Sequence, residues 1–271
     1  MRAGRLSQLV GSLVVGVLLV SGCGSSGSRG SASSASGPSS HNGGDSETGT
    51  LTVLGAASLT EAFTTLAKDF EAAHPGVHVR LAFDSSATLA EQVNQGAPAD
   101  VLATADTATM QTVSDAGNTA GKPRLFATNH LQLVVPRDNP AGITRFSDLA
   151  RSSVKYVVCV DTAPCGKLAK TVLANAGITH KPASEEVDVK AVESKVQLGE
   201  ADAGVVYATD VVAAGNKVKA IDIPTSNQNL NSYPIAAFKG ARKPALAAEW
   251  VRLVLSGRGQ KVLSDDGFGK P

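Results

Sequence analysis

From residue 51 onward, short apolar runs alternate with amphipathic stretches. Leu51-Thr52-Val53-Leu54 reads as a buried strand that ends in the tight small-residue turn Gly55-Ala56-Ala57. Leu59, Ala62, Phe63, Leu66 and Phe70 then recur at three- and four-residue steps, which predicts a helix with one buried face, stopped by Pro75-Gly76. Ser58-x-x-Glu61 fits a capping box, with the serine oxygen accepting a first-turn N–H and Glu61 reaching back to the Ser58 N–H, so the helix is expected to begin at Ser58. Residues 77–83 alternate strictly as a half-buried strand and run into Asp84-Ser85-Ser86-Ala87-Thr88-Leu89, a second helix start rich in hydroxyls.

The same alternation continues. Gly96-Ala97-Pro98-Ala99 turns into a short strand at Val101-Leu102, and Asp106 caps a helix over 107–116. Residues 131–136 form a strong strand closed by Asp138-Asn139-Pro140, and Ser147-Asp148-Leu149 is a short capped turn before a buried strand over 154–160. Asp161-Thr162-Ala163-Pro164-Cys165-Gly166 opens a helix that ends at Gly177. Val187-Asp188-Val189-Lys190 leads into a helix through Leu198, followed by a strand at 203–207 and a helical turn from Ala208-Thr209-Asp210. Strands at 221–223 and 233–238, a helix over 244–256 and an apolar helical tail near Val262-Leu263 complete the pattern. Alternating strands and helices predict an α/β protein with mixed, mainly parallel sheets, and the strong strand after a completed three-unit block predicts two lobes.

In such sheets ligands sit beyond the carboxyl ends of the strands, where helix N-termini offer free N–H groups and positive dipole ends. Ser58 and Ser86 both fall at such turns, and on local grounds alone a simple cap is the favoured reading of Ser58, since capping serines far outnumber ligand-binding ones. Tyr207, at the end of a strand, reaches either a cleft or a nearby carbonyl. Gly166-Lys167 lacks the other residues of a phosphate loop.

The ends of the chain carry different signals. Residues 1–22 read as a signal peptide, with Arg2 and Arg5 before an apolar run from Leu9 to Val20. Val20-Ser21-Gly22-Cys23 resembles a bacterial lipobox, which implies cleavage before Cys23, acylation of that residue with fatty acids such as palmitate, and anchorage on the outer face of the cell membrane. Residues 23–49 form a Ser/Gly-rich linker that cannot bury enough surface to order itself. Outside the cytoplasm Cys159 and Cys165 are expected to form a disulfide, stiffening the turn around Pro164.

Lys and Arg total 25 against 24 acidic residues, and aromatics make up 4% of the chain, a balance that offers nucleic acid neither a basic field nor stacking platforms. His74 and His78 are separated by Pro75-Gly76, which prevents the helical alignment a zinc pair needs, and no G-x-S-x-G elbow marks a serine hydrolase, the reading from another class.

Taken in order, Gly55-Ala56-Ala57-Ser58-Leu59-Thr60, Phe83-Asp84-Ser85-Ser86-Ala87-Thr88, Gly96-Ala97-Pro98-Ala99-Asp100-Val101 and Gly204-Val205-Val206-Tyr207-Ala208-Thr209-Asp210 closely resemble the molybdate-binding proteins of ABC importers, over about residues 51–268. The resemblance implies a two-lobed, type II periplasmic-binding-protein clamp: lobe 1 from 50–128, lobe 2 from 129–232, and a return segment, 233–271, packing on lobe 1. It implies no enzyme and no cofactor, but a monomeric, lipid-anchored solute-binding protein that delivers molybdate or tungstate to an ABC permease. The oxyanion donors it implies are the hydroxyls of Ser58 and Ser86, the backbone N–H groups of Cys165 and Val189, and the phenol of Tyr207, with no direct metal ligand. Cys165 stands where the family carries alanine, which leaves a backbone donor intact. Asp84, beside the serines, is expected to point away from a bound dianion; pointing inward, it would suit a protonated phosphate. Sulfate or phosphate is the alternative ligand.

Overall fold

The computed structural model describes residues 48–271, Thr225 excepted. The expectations placed on residues 1–47, the signal peptide, Cys23 and nearly all of the linker, lie outside the described residues. The chain opens with β1 (Gly49–Ala56), passes through a 3-10 turn at Ala57–Leu59 into α1 (Thr60–Ala73), and continues as β2 (Val77–Asp84), α2 (Ser86–Asn94), β3 (Val101–Ala103), α3 (Thr107–Asp115) and β4 (Arg124–Asn129). A second set follows: β5 (Leu131–Pro136), β6 (Tyr156–Cys159), α4 (Pro164–Asn175), β7 (Ser184–Glu186), α5 (Val189–Gln197), β8 (Ala203–Tyr207), α6 (Ala208–Ala214) and β9 (Val218–Ile221). The last elements are β10 (Asn231–Ala237), α7 (Pro244–Leu255) and α8 (Gly257–Asp265).

These strands form two five-stranded sheets, ordered β2-β1-β3-β10-β4 and β7-β6-β8-β5-β9. β1 runs parallel to β2 and β3, and β6 parallel to β7 and β8, while β10 and β5 are antiparallel to both of their neighbours. One strand in each sheet thus opposes the rest, as expected of a mixed, mainly parallel architecture, and each sheet forms the centre of one lobe.

Burial explains the apolar runs. Leu51 and Val53 of β1 face a core with Phe63 and Phe70 of α1 and Trp250 of α7, while Leu54 faces the opposite core with Leu89 and Met110. A strand covered on both faces must be apolar on both, which is why the β1 run does not alternate. Phe63 and Phe70 both meet the Trp250 ring edge-on, at 5.5 and 5.6 Å between centroids, so the C-terminal helix is fastened onto the first sheet although β5 to β9 intervene in sequence. The second sheet carries its own core, including Leu133, Val157, Val192 and Val205.

The chain crosses between the sheets at Asn129-His130 and returns through residues 222–230 into β10. Three details differ from the pattern-based expectation. β4 and β7 give no clear periodic signal, because β4 is exposed at its first two residues and β7 is a polar three-residue edge. The strand expected at 221–223 lies at Val218–Ile221, where its register against Leu133 to Pro136 decides the pairing. Gly49, assigned to the linker, already bonds the Gly76 carbonyl at 2.9 Å.

Candidate functional site

One cavity brings together all five residues singled out by the sequence: Ser58, Ser86, Cys165, Val189 and Tyr207. The cavity is small, about 10 Å³. Ser58 and Ser86 come from the lobe of the first sheet, and Cys165, Val189 and Tyr207 from the other.

Each residue is set there by local structure. Ser58 lies within the 3-10 turn after β1 and is 3% exposed. The expected capping box is not formed: α1 begins at Thr60, and the Ser58 Oγ instead bonds the Tyr233 hydroxyl at 2.8 Å. The 3-10 turn carries the serine inward, ahead of the helix, and Glu61 is drawn away to the Lys190 ammonium at 3.0 Å. Ser86 is the first residue of α2, and its Oγ accepts the Ala105 N–H at 2.9 Å. Cys165 and Val189 open α4 and α5, where the first N–H groups have no helical carbonyl to bond. Asp188 caps α5, its Oδ1 taking the Ala191 N–H at 2.9 Å.

The turn before α4 is tightly built. Cys159 at the end of β6 is joined to Cys165 by a disulfide, with 5.8 Å between Cα atoms. A Cβ on Gly166 would lie 1.9 Å from the Val160 carbonyl oxygen, so only glycine allows this close approach of helix and strand.

Tyr207 is 1% exposed, and its hydroxyl bonds the Asn231 side-chain nitrogen. Burial raises its pKa well above the ordinary tyrosine value, and the neighbouring Tyr233 adds to this, so the phenol keeps its proton. Burial likewise raises the Tyr233 pKa above the ordinary range. Asp84 is part of the cavity wall, with Oδ1 turned onto the Ser85 N–H at 2.6 Å.

The sequence did not mark the groups that tie the lobes together around this cavity. Lys190 reaches Glu61 across the cleft at 3.0 Å, and on its own side Glu193 at 3.0 Å and the fully buried Asp210 at 3.4 Å. Burial opposes the Lys190 charge, but the surrounding carboxylates outweigh it and hold its pKa above the ordinary lysine value. Burial pushes Asp210 up to about 7 against the pull of Lys190. Lys167 of α4 makes a second bridge across the cleft, to Asp106 at 3.3 Å. Lysines on helices read as solvated positions, and the closeness of the lobes gives each of these a partner across the cleft. His74 and His78, four apart, are engaged separately, with Glu249 at 2.7 Å and Glu71 at 2.9 Å.

The arrangement is a closed clamp: hydroxyls and helix N-termini from two lobes converge on one small space. A family model described as bacterial extracellular solute-binding protein matches residues 51–269. The chain belongs to this family. Among relatives of this solute-binding protein, the molybdate-binding protein ModA of Mycobacterium tuberculosis (strain ATCC 25618 / H37Rv) is 42% identical over 258 residues, covering 95% of this chain and 97% of that one. Solved structures share its fold. The periplasmic molybdate-binding protein of Azotobacter vinelandii aligns with a TM-score of 0.74 at 19% identity, over 82% of this chain and 99% of that one. The sulfate-binding protein SubI of Mycobacterium tuberculosis H37Rv aligns with a TM-score of 0.72 at 17% identity, over 82% of this chain and 86% of that one. The same two-lobed fold thus occurs in a protein named for molybdate and in one named for sulfate.

Proposed function

We propose that this protein captures molybdate, and tungstate with it, between its lobes outside the cytoplasm and delivers it to an ABC permease, without chemical turnover. The observation that carries this reading is the convergence of three hydroxyls and two helix N-termini from both lobes on one compact cavity. In this reading Ser58, Ser86 and Tyr207 donate their hydroxyl protons, and Cys165 and Val189 their backbone N–H groups, to the anion's oxygens. The 42% identity to a molybdate-binding protein supports molybdate over sulfate as the ligand.

The chemistry fits a dianion without a buried counter-cation. Helix N-termini supply positive potential, and charge-assisted hydrogen bonds satisfy the oxygens without burying a fixed cation beside them. A fully deprotonated anion presents only acceptors and is matched by donors alone, whereas a protonated phosphate brings a hydrogen that needs an acceptor. Neither lobe surrounds the anion alone, so binding closes the clamp by hinge motion at the two crossings, and Lys190–Glu61 and Lys167–Asp106 hold the closed state. The lipid anchor at Cys23 keeps the monomer near its permease. Among the described residues no helix is long and apolar enough to cross a membrane.

Isothermal titration calorimetry of anion-stripped protein against molybdate, tungstate, sulfate and phosphate at pH 8 tests this. Tight binding of molybdate and tungstate only is expected. Tight binding of sulfate or phosphate in their place would retain the clamp and remove the assigned ligand.

A further inference from the structure

Each of the three hydroxyls at the cavity is served from behind, directly or through one neighbour, by a nitrogen that only donates. The Ala105 N–H reaches the Ser86 Oγ at 2.9 Å. The Asn231 side-chain nitrogen bonds the Tyr207 phenol oxygen and also the Pro164 carbonyl at 3.3 Å. A carbonyl only accepts, so the group facing both must be the amide nitrogen and not its oxygen. Asn129 acts through an intermediary. Its Oδ1 accepts the His130 N–H at 3.0 Å, which directs Nδ2 to the Thr209 Oγ1 at 3.0 Å and to the Tyr233 hydroxyl at 3.4 Å. The Tyr233 hydroxyl in turn stands 2.8 Å from the Ser58 Oγ.

A hydroxyl carries one proton. Where an N–H already addresses the oxygen, that proton is left for a different partner. Asn129 donates to Tyr233, the Tyr233 proton goes to Ser58, and the Ser58 proton is left for the cavity. Asn231 addresses the Tyr207 oxygen and Ala105 the Ser86 oxygen in the same way, so each of these protons is left for a group other than that nitrogen. We infer that Asn129 and Asn231, on the crossing segments behind the cavity, are specificity-determining residues that fix Ser58 and Tyr207 as donors and so exclude anions that carry a proton. The inference rests on the oxyanion reading above and deepens it.

The surroundings agree. Both phenols are buried and keep their protons, so neither turns into an acceptor by ionising. The device also gives a reason for polar asparagines at the crossings: Asn129 is 1% exposed, and a buried amide is costly unless its bonds are made.

Asn231→Asp keeps the shape and replaces the donor by an acceptor. The Tyr207 proton then turns toward residue 231, and the phenol oxygen becomes free to accept a ligand proton. Molybdate and hydrogen phosphate both carry two negative charges at pH 8, so repulsion by the new carboxylate cancels in the ratio of their dissociation constants. The experiment measures that ratio in the purified full-length protein, with molybdate by direct calorimetric titration and inorganic phosphate by competition. A fall of the phosphate-to-molybdate ratio by tenfold or more is expected. Asn129→Asp reverses the chain through Tyr233 and Ser58 and is expected to act in the same direction; if circular dichroism shows one variant unfolded, the other decides. A ratio within twofold of wild type in a folded variant overturns the inference and leaves the asparagine a structural role, while molybdate binding by the wild type stands. Absence of molybdate binding in the wild type overturns the oxyanion reading and this inference together.

Discussion

Removing the Ser58 hydroxyl should have two separable effects, because that oxygen faces the cavity and the buried Tyr233 at once. Ser58 is 3% exposed and its Oγ is 2.8 Å from the Tyr233 hydroxyl. In Ser58→Ala the anion loses a donor. A hydrogen bond to a charged group contributes about 1.5–3 kcal/mol, so the molybdate dissociation constant should rise roughly tenfold to a hundredfold. The empty protein also loses stability by about 1–3 kcal/mol, since the Tyr233 proton is left without its nearest acceptor in a buried place. Tyr233→Phe in the same chain removes the orphaned hydroxyl. The double variant should therefore regain part of the stability lost by Ser58→Ala, measured by urea unfolding, without regaining affinity, measured by calorimetry. If Ser58→Ala lowers stability but leaves molybdate affinity unchanged, Ser58 supports Tyr233 and does not bind the anion.

Other perturbations address the frame around the cavity. Replacing both Cys159 and Cys165 by serine should cost about 2 kcal/mol on the loop-entropy estimate and weaken molybdate binding, as the Cys165 N–H loses its tether to β6; equal affinity in the two proteins would confine the bridge to stability. Lys190→Met should destabilise the protein by roughly 3 kcal/mol at pH 8, because it leaves Asp210 buried without its cation, and the loss should shrink at pH 6, where Asp210 is protonated; a loss independent of pH would contradict this. Asp210 titrates near 7 in the folded protein against an ordinary value of 3.8, so the folded state holds its proton more tightly and this group's contribution to stability falls as pH rises from about 4 through 7. Asp210→Asn should remove that fall, flattening the stability profile between pH 5 and 8 by up to roughly 2.5 kcal/mol, and parallel profiles for variant and wild type would refute the assignment.

The framework of the fold was legible because local and global requirements coincide in it. The all-apolar β1 run is what a strand covered on both faces requires, and the small residues after it are what a turn into a helix requires. The five cavity residues were legible through motif resemblance supported by their places at strand and helix ends. The hydrogen bonds behind them were not. Tyr233 sits in an apolar strand and reads as core, and its partners Ser58 and Asn129 are 175 and 104 residues away. The capping box fails because both of its side chains have long-range partners, Ser58 in Tyr233 and Glu61 in Lys190, which no local pattern reveals. Asn231 follows a polar stretch in which no local pattern distinguishes an amide that orients a distant phenol from one that merely faces water.

The placement of the anion is tested most directly by crystals of the protein grown with molybdate, with anomalous diffraction recorded on both sides of the molybdenum absorption edge. A single strong molybdenum peak is expected in the cavity, with its oxygens within hydrogen-bonding distance of the Ser58 and Ser86 hydroxyls, the Cys165 and Val189 N–H groups and the Tyr207 phenol. A peak elsewhere, or a cavity without molybdenum at saturating molybdate, would contradict the assignment of this site.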